Sequence, residues 1–266
     1  MDMPLTILLH SSKTMRASPS VKAARPPQLQ HQAREIAAHL KALSPEAIAK
    51  SMHVSAALAD KTHKLIADWS DAPQKQSLAI DCFVGDIYSG LRASELSADD
   101  RDYADNTLRI LSGLYGIIRP YDGICAYRLE MAYRLPDLKF ANLYTYWGDA
   151  IANTLPKEGT VVNVSSVEYT KAVLPFIDKE RVITPQFLTI NPKTGEPAFV
   201  VVHAKIARGA FARWLITSRT TNIAEFSKFN DIGYRYDKQL SNPTEPVFVC
   251  QTFGGSGLSM RLDLQG

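Results

Sequence analysis

The sequence predicts an α/β fold with some α+β character: a single domain with a mixed sheet, surrounding helices and a helical-hairpin element. Three observations carry that prediction. Apolar, β-branched runs at Leu5–Leu9 and Thr160–Val164 read as buried strands. Between them strand and helix patterns alternate, and beyond about Val164 hairpin signals take over. No internal repeat or linker divides the 266 residues, so 1–253 reads as one domain and 254–266, opening on Gly254-Gly-Ser-Gly257, as a flexible tail with little to bury.

The elements follow in order. Leu5-Thr-Ile-Leu-Leu9 is continuous and apolar, and it runs directly into polar His10-Ser-Ser-Lys-Thr14, the kind of strand end that walls a site. The basic stretch to Pro26-Pro27, rich in Ser, Ala and Pro, reads as a surface loop. Leu29, Ile36, Leu40 and Leu43 recur at helical spacing, Ser44-Pro45 supplies a cap and a first-position proline for a second helix, and Ser55 caps a third that turns Leu58, Leu65 and Trp69 to one face. Ala79–Val84 reads as a strand broken by Gly85 and Gly90. A helix opens at Ser97 on a capping box with Asp100 and is expected to carry Tyr103, Thr107, Ile110, Leu111 and Leu114 inward until Gly113, Gly116 and Pro120 end it. Phe187–Ile190 and Ala198–Val202 flank Asn191-Pro-Lys-Thr-Gly195 as a hairpin.

Composition bounds the function classes. The chain is 45% hydrophobic and 21% charged, as ordinary globular domains are, and 30 Lys+Arg against 27 Asp+Glu leave a formal charge of +3. So weak a surplus means that any anion-binding surface arises from local clustering. Cys82, Cys125 and Cys250 stand far apart without a CxxC pair, which suits reduced thiols in a cytoplasm. With no signal-peptide core and no apolar run long enough for a membrane span, a cytoplasmic protein without membrane contact is expected. The six histidines show no HExxH or zinc-finger spacing, and no P-loop, GxGxxG or GxSxG motif occurs, so neither a metal nor another cofactor is expected.

Two constellations carry chemistry. On a helix at about 100° per residue, Lys205, Arg208, Arg213 and Arg219 fall within an arc of about 140° while Ile206, Ala210, Phe211, Trp214 and Leu215 lie opposite. Such a basic stripe either neutralises phosphates or is simply a solvated face. The second is a set of polar residues at strand ends and turns: Lys13, Asp86, Arg128, Glu130, Asp149, Asn163, Ser165, Glu168, Lys205 and Arg208. Ligands gather at strand ends of α/β sheets, so these residues form either a polar pocket or a structural ion-pair network. Were the pocket catalytic, Lys13, Glu130, Asp149 and Glu168 are the candidates, with a carboxyl beside lysine doing acid–base work on a nucleobase or nucleotide.

The segments Phe83-Val-Gly-Asp-Ile-Tyr-Ser-Gly-Leu91, Leu108-Arg-Ile-Leu-Ser-Gly-Leu-Tyr-Gly-Ile-Ile-Arg-Pro120, Tyr127-Arg-Leu-Glu-Met131, Tyr146-Trp-Gly-Asp149, Asn163-Val-Ser-Ser-Val-Glu-Tyr169 and Ala204-Lys-Ile-Ala-Arg-Gly209 resemble, in order and spacing, the signature segments of the YaaA family of bacterial peroxide-stress proteins. The similarity spans nearly the whole chain to Phe253. It implies a single domain of unusual topology, a part in surviving hydrogen peroxide, lowered harmful intracellular iron, and binding of duplex or branched DNA, not sequence-specific, through a helix-hairpin-helix element. That element falls at about 43–69, where Lys41, Lys50, Lys61 and Lys64 with Ser51 and Ser55 are the candidate phosphate donors, although the segment lacks the glycines that let a phosphate approach the backbone and reads alternatively as an ordinary solvated helical hairpin; with the stripe, the nucleic-acid candidates are Lys50, Ser51, Lys61, Lys64, Lys205, Arg208 and Arg213. Two departures stand out: His10-Ser-Ser-Lys-Thr14 replaces a common Ser-Pro-Ala-Lys-Thr, keeping Lys13, and the C-terminal tail is longer. The leading reading is a non-enzymatic DNA-binding protein that limits oxidative damage, the alternative an enzyme acting on a nucleobase, nucleotide or damaged nucleic acid. Nothing in the sequence points to a protein partner.

Overall fold

A five-stranded sheet grows around the N-terminal strand, Leu5–His10, which is buried at every position and pairs in parallel with Leu108–Ser112 on one side and Thr160–Asn163 on the other. Val182–Ile183 extends the sheet in parallel beyond Thr160–Asn163, and Gly116–Ile118 closes the other edge antiparallel. The computed structural model describes residues 5–16, 25–136 and 139–263. Residues 17–24, most of the expected basic loop, lie outside that set.

The strand directions are mixed, as expected, but the strands divide between two principal sheets. The second has the order Pro197–Ala198, Gln186–Ile190, Val247–Cys250, Tyr234–Asp237, with only the central pair parallel. Between the sheets runs the long helix Val201–Ser218. It is too buried to show one apolar stripe: Ala204, Ile206, Ala207, Gly209, Ala210, Phe211, Ala212, Leu215 and Ile216 are all inside. On one side Phe211 meets Phe187, Phe229 and Phe248 in edge-on and tilted contacts. On another the helix crosses Asp86–Leu91 at backbone contact. A Cβ on Gly209 would lie 1.8 Å from the Ile87 carbonyl oxygen, and one on Gly90 would lie 1.9 Å from that of Ile206, so two glycines set the crossing distance.

Three helices cover the N-terminal part: Gln30–Lys41, Pro45–Met52 capped by Ser44, and Ala56–Ala67 capped by Ser55. The last two form a tight helical hairpin whose turn places His53 in the left-handed conformation at φ 51°.

Three elements differ from expectation. The hairpin around Asn191–Gly195 forms, but its second strand is only Pro197–Ala198 and not Ala198–Val202, because the chain enters the long helix at Val201. Ala79–Cys82 is a helical turn, with only Phe83–Val84 extended and paired to Thr14–Met15. The apolar run 79–84 is short enough to fit either geometry, and pairing of Asp81 with Arg101 together with the Cys82 thiol on the Leu78 carbonyl favours the turn. The helix that opens at Ser97 has its capping box but ends at Thr107, and Leu108–Ser112 becomes a strand. Ile110, Leu111 and Leu114 are therefore buried by the sheet and the turn after it, not by a helix face. Beyond Gly254 the chain turns back: Leu258–Asp263 is helical and Ser259 hydrogen-bonds Asp86.

Candidate functional site: a polar cavity at the strand ends

Parallel strands end on the same side of a sheet, so Leu5–His10 and Thr160–Asn163 deliver His10–Lys13 and Ser165–Tyr169 to one place. The third wall is the Tyr127–Glu130 segment, and the fourth combines Gly85-Asp86 with the start of the long helix at Lys205. Together they enclose a cavity of about 360 Å³ lined by Lys13, Asp86, Glu130, Glu168 and Lys205, with His10, Ser12, Ser166 and Tyr169 among them. Gly85 is held at φ +155°, and a Cβ there would lie 2.8 Å from the Ser12 hydroxyl; glycine lets that serine reach the Val84 carbonyl.

The carboxylates are individually engaged. Glu130 accepts a hydrogen bond from the Tyr169 hydroxyl at 3.1 Å and lies 3.6 Å from the Lys13 ammonium. Burial raises its carboxyl above the usual range, the Glu168 charge adds to that, and Lys13 and Tyr169 oppose it. Glu168 accepts the Ala132 N–H at 3.0 Å. Asp86 accepts the N–H and hydroxyl of Ser259 at 3.0 and 2.7 Å.

His10 is the residue that sequence reasoning undervalued, taking it only as part of a polar strand end. It is 8% exposed and stacks on Tyr169 at 5.1 Å. Its Nδ1 accepts the Ser166 N–H at 3.1 Å, so the neutral ring carries its proton on Nε2. Burial, and then the charges of Arg208 and Lys205, push its pKa down to about 3. The available signal was a single titratable residue closing an otherwise apolar buried strand.

The other expected pocket residues fall in three groups. Arg208 stands one turn from Lys205 with its guanidinium 6.0 Å from the Phe199 ring, and burial lowers its pKa. Arg128, Asn163 and Ser165 support the walls: Arg128 reaches the Lys13 carbonyl at 3.4 Å, Asn163 donates to Thr184 and accepts the Ser165 N–H, and the Ser165 hydroxyl meets His10 Nδ1. Asp149 does not join them. It is exposed at the start of the short helix Ala150–Asn153, where its carbonyl accepts the Asn153 N–H.

The basic stripe also resolves into parts. Arg213 pairs with Glu95 at 3.4 Å, and Arg219 pairs with Asp100 at 2.8 Å while lying 4.4 Å over the Tyr103 ring. Only Lys205 and Arg208 keep their charge free of a carboxylate partner among the described residues, because the helix is wrapped by acidic neighbours at its other end. On the hairpin, Ser51 donates to the Ala47 carbonyl, Ser55 caps Leu58, and Lys41 donates to the Trp69 carbonyl. Lys50, Lys61 and Lys64 are exposed, and none forms an ion pair among the described residues. A larger cavity of about 480 Å³ lies beside Asp81, Arg92 and Glu95, but those groups are already paired with Arg101, Asp231 and Arg213.

The family profile described as "Peroxide stress protein YaaA" matches residues 5–240. The chain belongs to the YaaA family. A UPF0246 protein of Salinispora tropica is 57% identical over 258 residues, covering 97% of this chain and 98% of its own. Others from Cupriavidus metallidurans and Ruegeria pomeroyi are 38% and 41% identical, covering 92% and 84% of this chain and 98% and 90% of their own. The YaaA match includes every wall of the cavity except the Leu258–Ser259 flank. No described helix is long and apolar enough to cross a membrane.

Proposed function

We propose that this peroxide-stress protein binds duplex or branched DNA without sequence preference and thereby limits oxidative damage, lowering harmful iron as the family resemblance implies. The observation that supports contact at the helical hairpin is its exposed tip, His53, Ser55, Ala56 and Ala57, with Lys50 closing the helix before it and Lys61 and Lys64 along the helix after it, against Glu46 and Asp60. Small side chains let a phosphate approach the first N–H groups of the Ala56–Ala67 helix, and the lysines neutralise its neighbours. Such contacts carry no base information, so affinity depends on salt and not on sequence.

The test is titration of labelled duplexes of unrelated sequence at several salt concentrations, with wild type and a Lys50→Gln/Lys61→Gln/Lys64→Gln variant. Each lysine that engages a phosphate contributes about 0.9 to the slope of log affinity against log salt, so the variant binds more weakly and with a shallower slope. An unchanged slope removes the hairpin from the interface; selection of one sequence removes the reading altogether.

Glu130 favours a second reading, in which the cavity turns over a nucleobase or nucleotide. A buried carboxyl whose pKa burial raises, beside Lys13 and the Tyr169 hydroxyl, is suited to acid–base work.

A further inference from the structure

One flank of the strand-end cavity, Leu258–Ser259, belongs to the C-terminal segment. That segment is fixed at two points. Upstream, the Phe253 ring stacks on His203 at 3.9 Å, and the Gly254 N–H donates to the Ile232 carbonyl at 3.0 Å. Downstream, Asp86 Oδ1 accepts the Ser259 N–H at 3.0 Å and Oδ2 accepts the Ser259 hydroxyl at 2.7 Å. Between them Gly254-Gly-Ser-Gly257 gives the backbone freedom to swing. Asp86 is 8% exposed, and the donors it meets among the described residues both belong to Ser259. Ser256 lines the neighbouring cavity of about 480 Å³, and Val84 and Gly85 line both, so the segment stands where the two cavities meet. The lining of the smaller cavity sets Asp86, Glu130 and Glu168 against Lys13 and Lys205. Ionised carboxylates only accept hydrogen bonds, so such a lining suits a ligand that donates them better than it suits an anion.

We propose that residues 254–260 are a latched strap, and that the Asp86 end of the cavity binds a planar group with two adjacent N–H donors, such as the Watson–Crick edge of guanine or a guanidinium, by exchanging it for Ser259. A carboxylate takes such a pair with one donor on each oxygen, the arrangement that Ser259 makes in the closed state. Lifting the strap with nothing in its place strands a buried carboxylate without donors, so opening is coupled to the arrival of a donor pair. A cavity of about 360 Å³ lies in the range of small-ligand sites and holds a nucleoside. The inference rests on the second reading above, of the cavity as a nucleobase site, and is independent of the DNA interface.

Calorimetric titration of the full chain with guanosine, inosine and methylguanidine tests the donor pair, and amide hydrogen exchange across 255–260 tests the strap. Inosine keeps the ring N–H of guanosine but lacks its amino group, so guanosine is expected to bind at least tenfold more tightly. Saturating guanosine is expected to quicken exchange across 255–260, because the ligand holds the strap off Asp86. Ser259→Pro removes both donors, and proline is tolerated in the first turn of the Leu258–Asp263 helix; it is expected to tighten guanosine binding at least tenfold, and Ser259→Ala, which removes one donor, to tighten it less. Asp86→Asn turns one acceptor into a donor and is expected to erase the preference over inosine. Methylguanidine that displaces guanosine assigns the site to guanidinium groups at large; guanosine binding without such competition assigns it to the base. Guanosine binding that leaves exchange across 255–260 unchanged, or that neither Ser259 variant alters, overturns the strap and leaves the cavity standing as a nucleobase site. Equal affinity for guanosine and inosine overturns the donor pair. No binding of any probe at millimolar concentration, by wild type or by either Ser259 variant, overturns both the inference and the reading on which it rests.

Discussion

At the scale of single residues, His10 couples the cavity to stability. An unfolded imidazole titrates near 6.5 and the folded one at about 3, so between those values the unfolded chain holds a proton that the native chain does not. The native state keeps its full stability above about 6.5 and loses it as the pH falls toward 3, at about 1.4 kcal/mol per pH unit. Between pH 7 and pH 5 this amounts to about 2 kcal/mol. Urea unfolding at the two pH values, in wild type and in His10→Asn, checks it: the variant is expected to lose about 2 kcal/mol less over that interval, and identical pH dependence would sink the assignment. Residue types and spacing carried part of this site. Lys13, Glu130, Glu168 and Lys205 could be grouped in advance because Lys13 and Glu168 follow strands, Glu130 lies in a turn and Lys205 opens a helix. Asp149 could not be separated from them, because its exposure depends on a helix of four residues that no periodicity announces.

At the scale of elements, the crossing of Asp86–Leu91 with Val201–Ser218 is the contact with least freedom to adjust. The atoms facing Gly209 and Gly90 are main-chain carbonyls, which cannot rotate aside as side chains do. Overpacking of cores costs about 1–3 kcal/mol, occasionally more, and backbone against backbone belongs at the upper end. Gly209→Ala is therefore expected to lower stability by about 3 kcal/mol or to prevent folding, whereas Thr217→Ala, exposed on the same helix, stays within about 0.5 kcal/mol. Denaturant midpoints read both; a neutral Gly209→Ala would mean that the helices pack less closely than described. Long periodic helices and the strands at Leu5 and Thr160 were legible in sequence. The boundary at Thr107 was not, since Leu-Arg-Ile-Leu fits a buried strand as well as a helix, and pairing with Leu5–His10, about a hundred residues away in sequence, decides between them.

At the scale of the whole molecule, the described His, Cys, Asp and Glu side chains nowhere gather in threes as a metal site requires. Protein purified without chelator is accordingly expected to carry substoichiometric iron and zinc by elemental analysis, and one tightly held metal per chain would contradict this. The architecture has a further consequence for synthesis. Leu5–His10 is made before both of its partners and is the middle strand of its sheet; its two neighbours begin at Leu108 and Thr160. At roughly 5–20 residues per second on the ribosome, its first partner follows it by roughly 5–20 s and its second later still. For that interval a wholly apolar strand has both edges open, a state in which β-segments pair with neighbouring chains. Until Asn163 has emerged, the open edges of this strand are expected to be a point at which a holding chaperone protects the nascent chain.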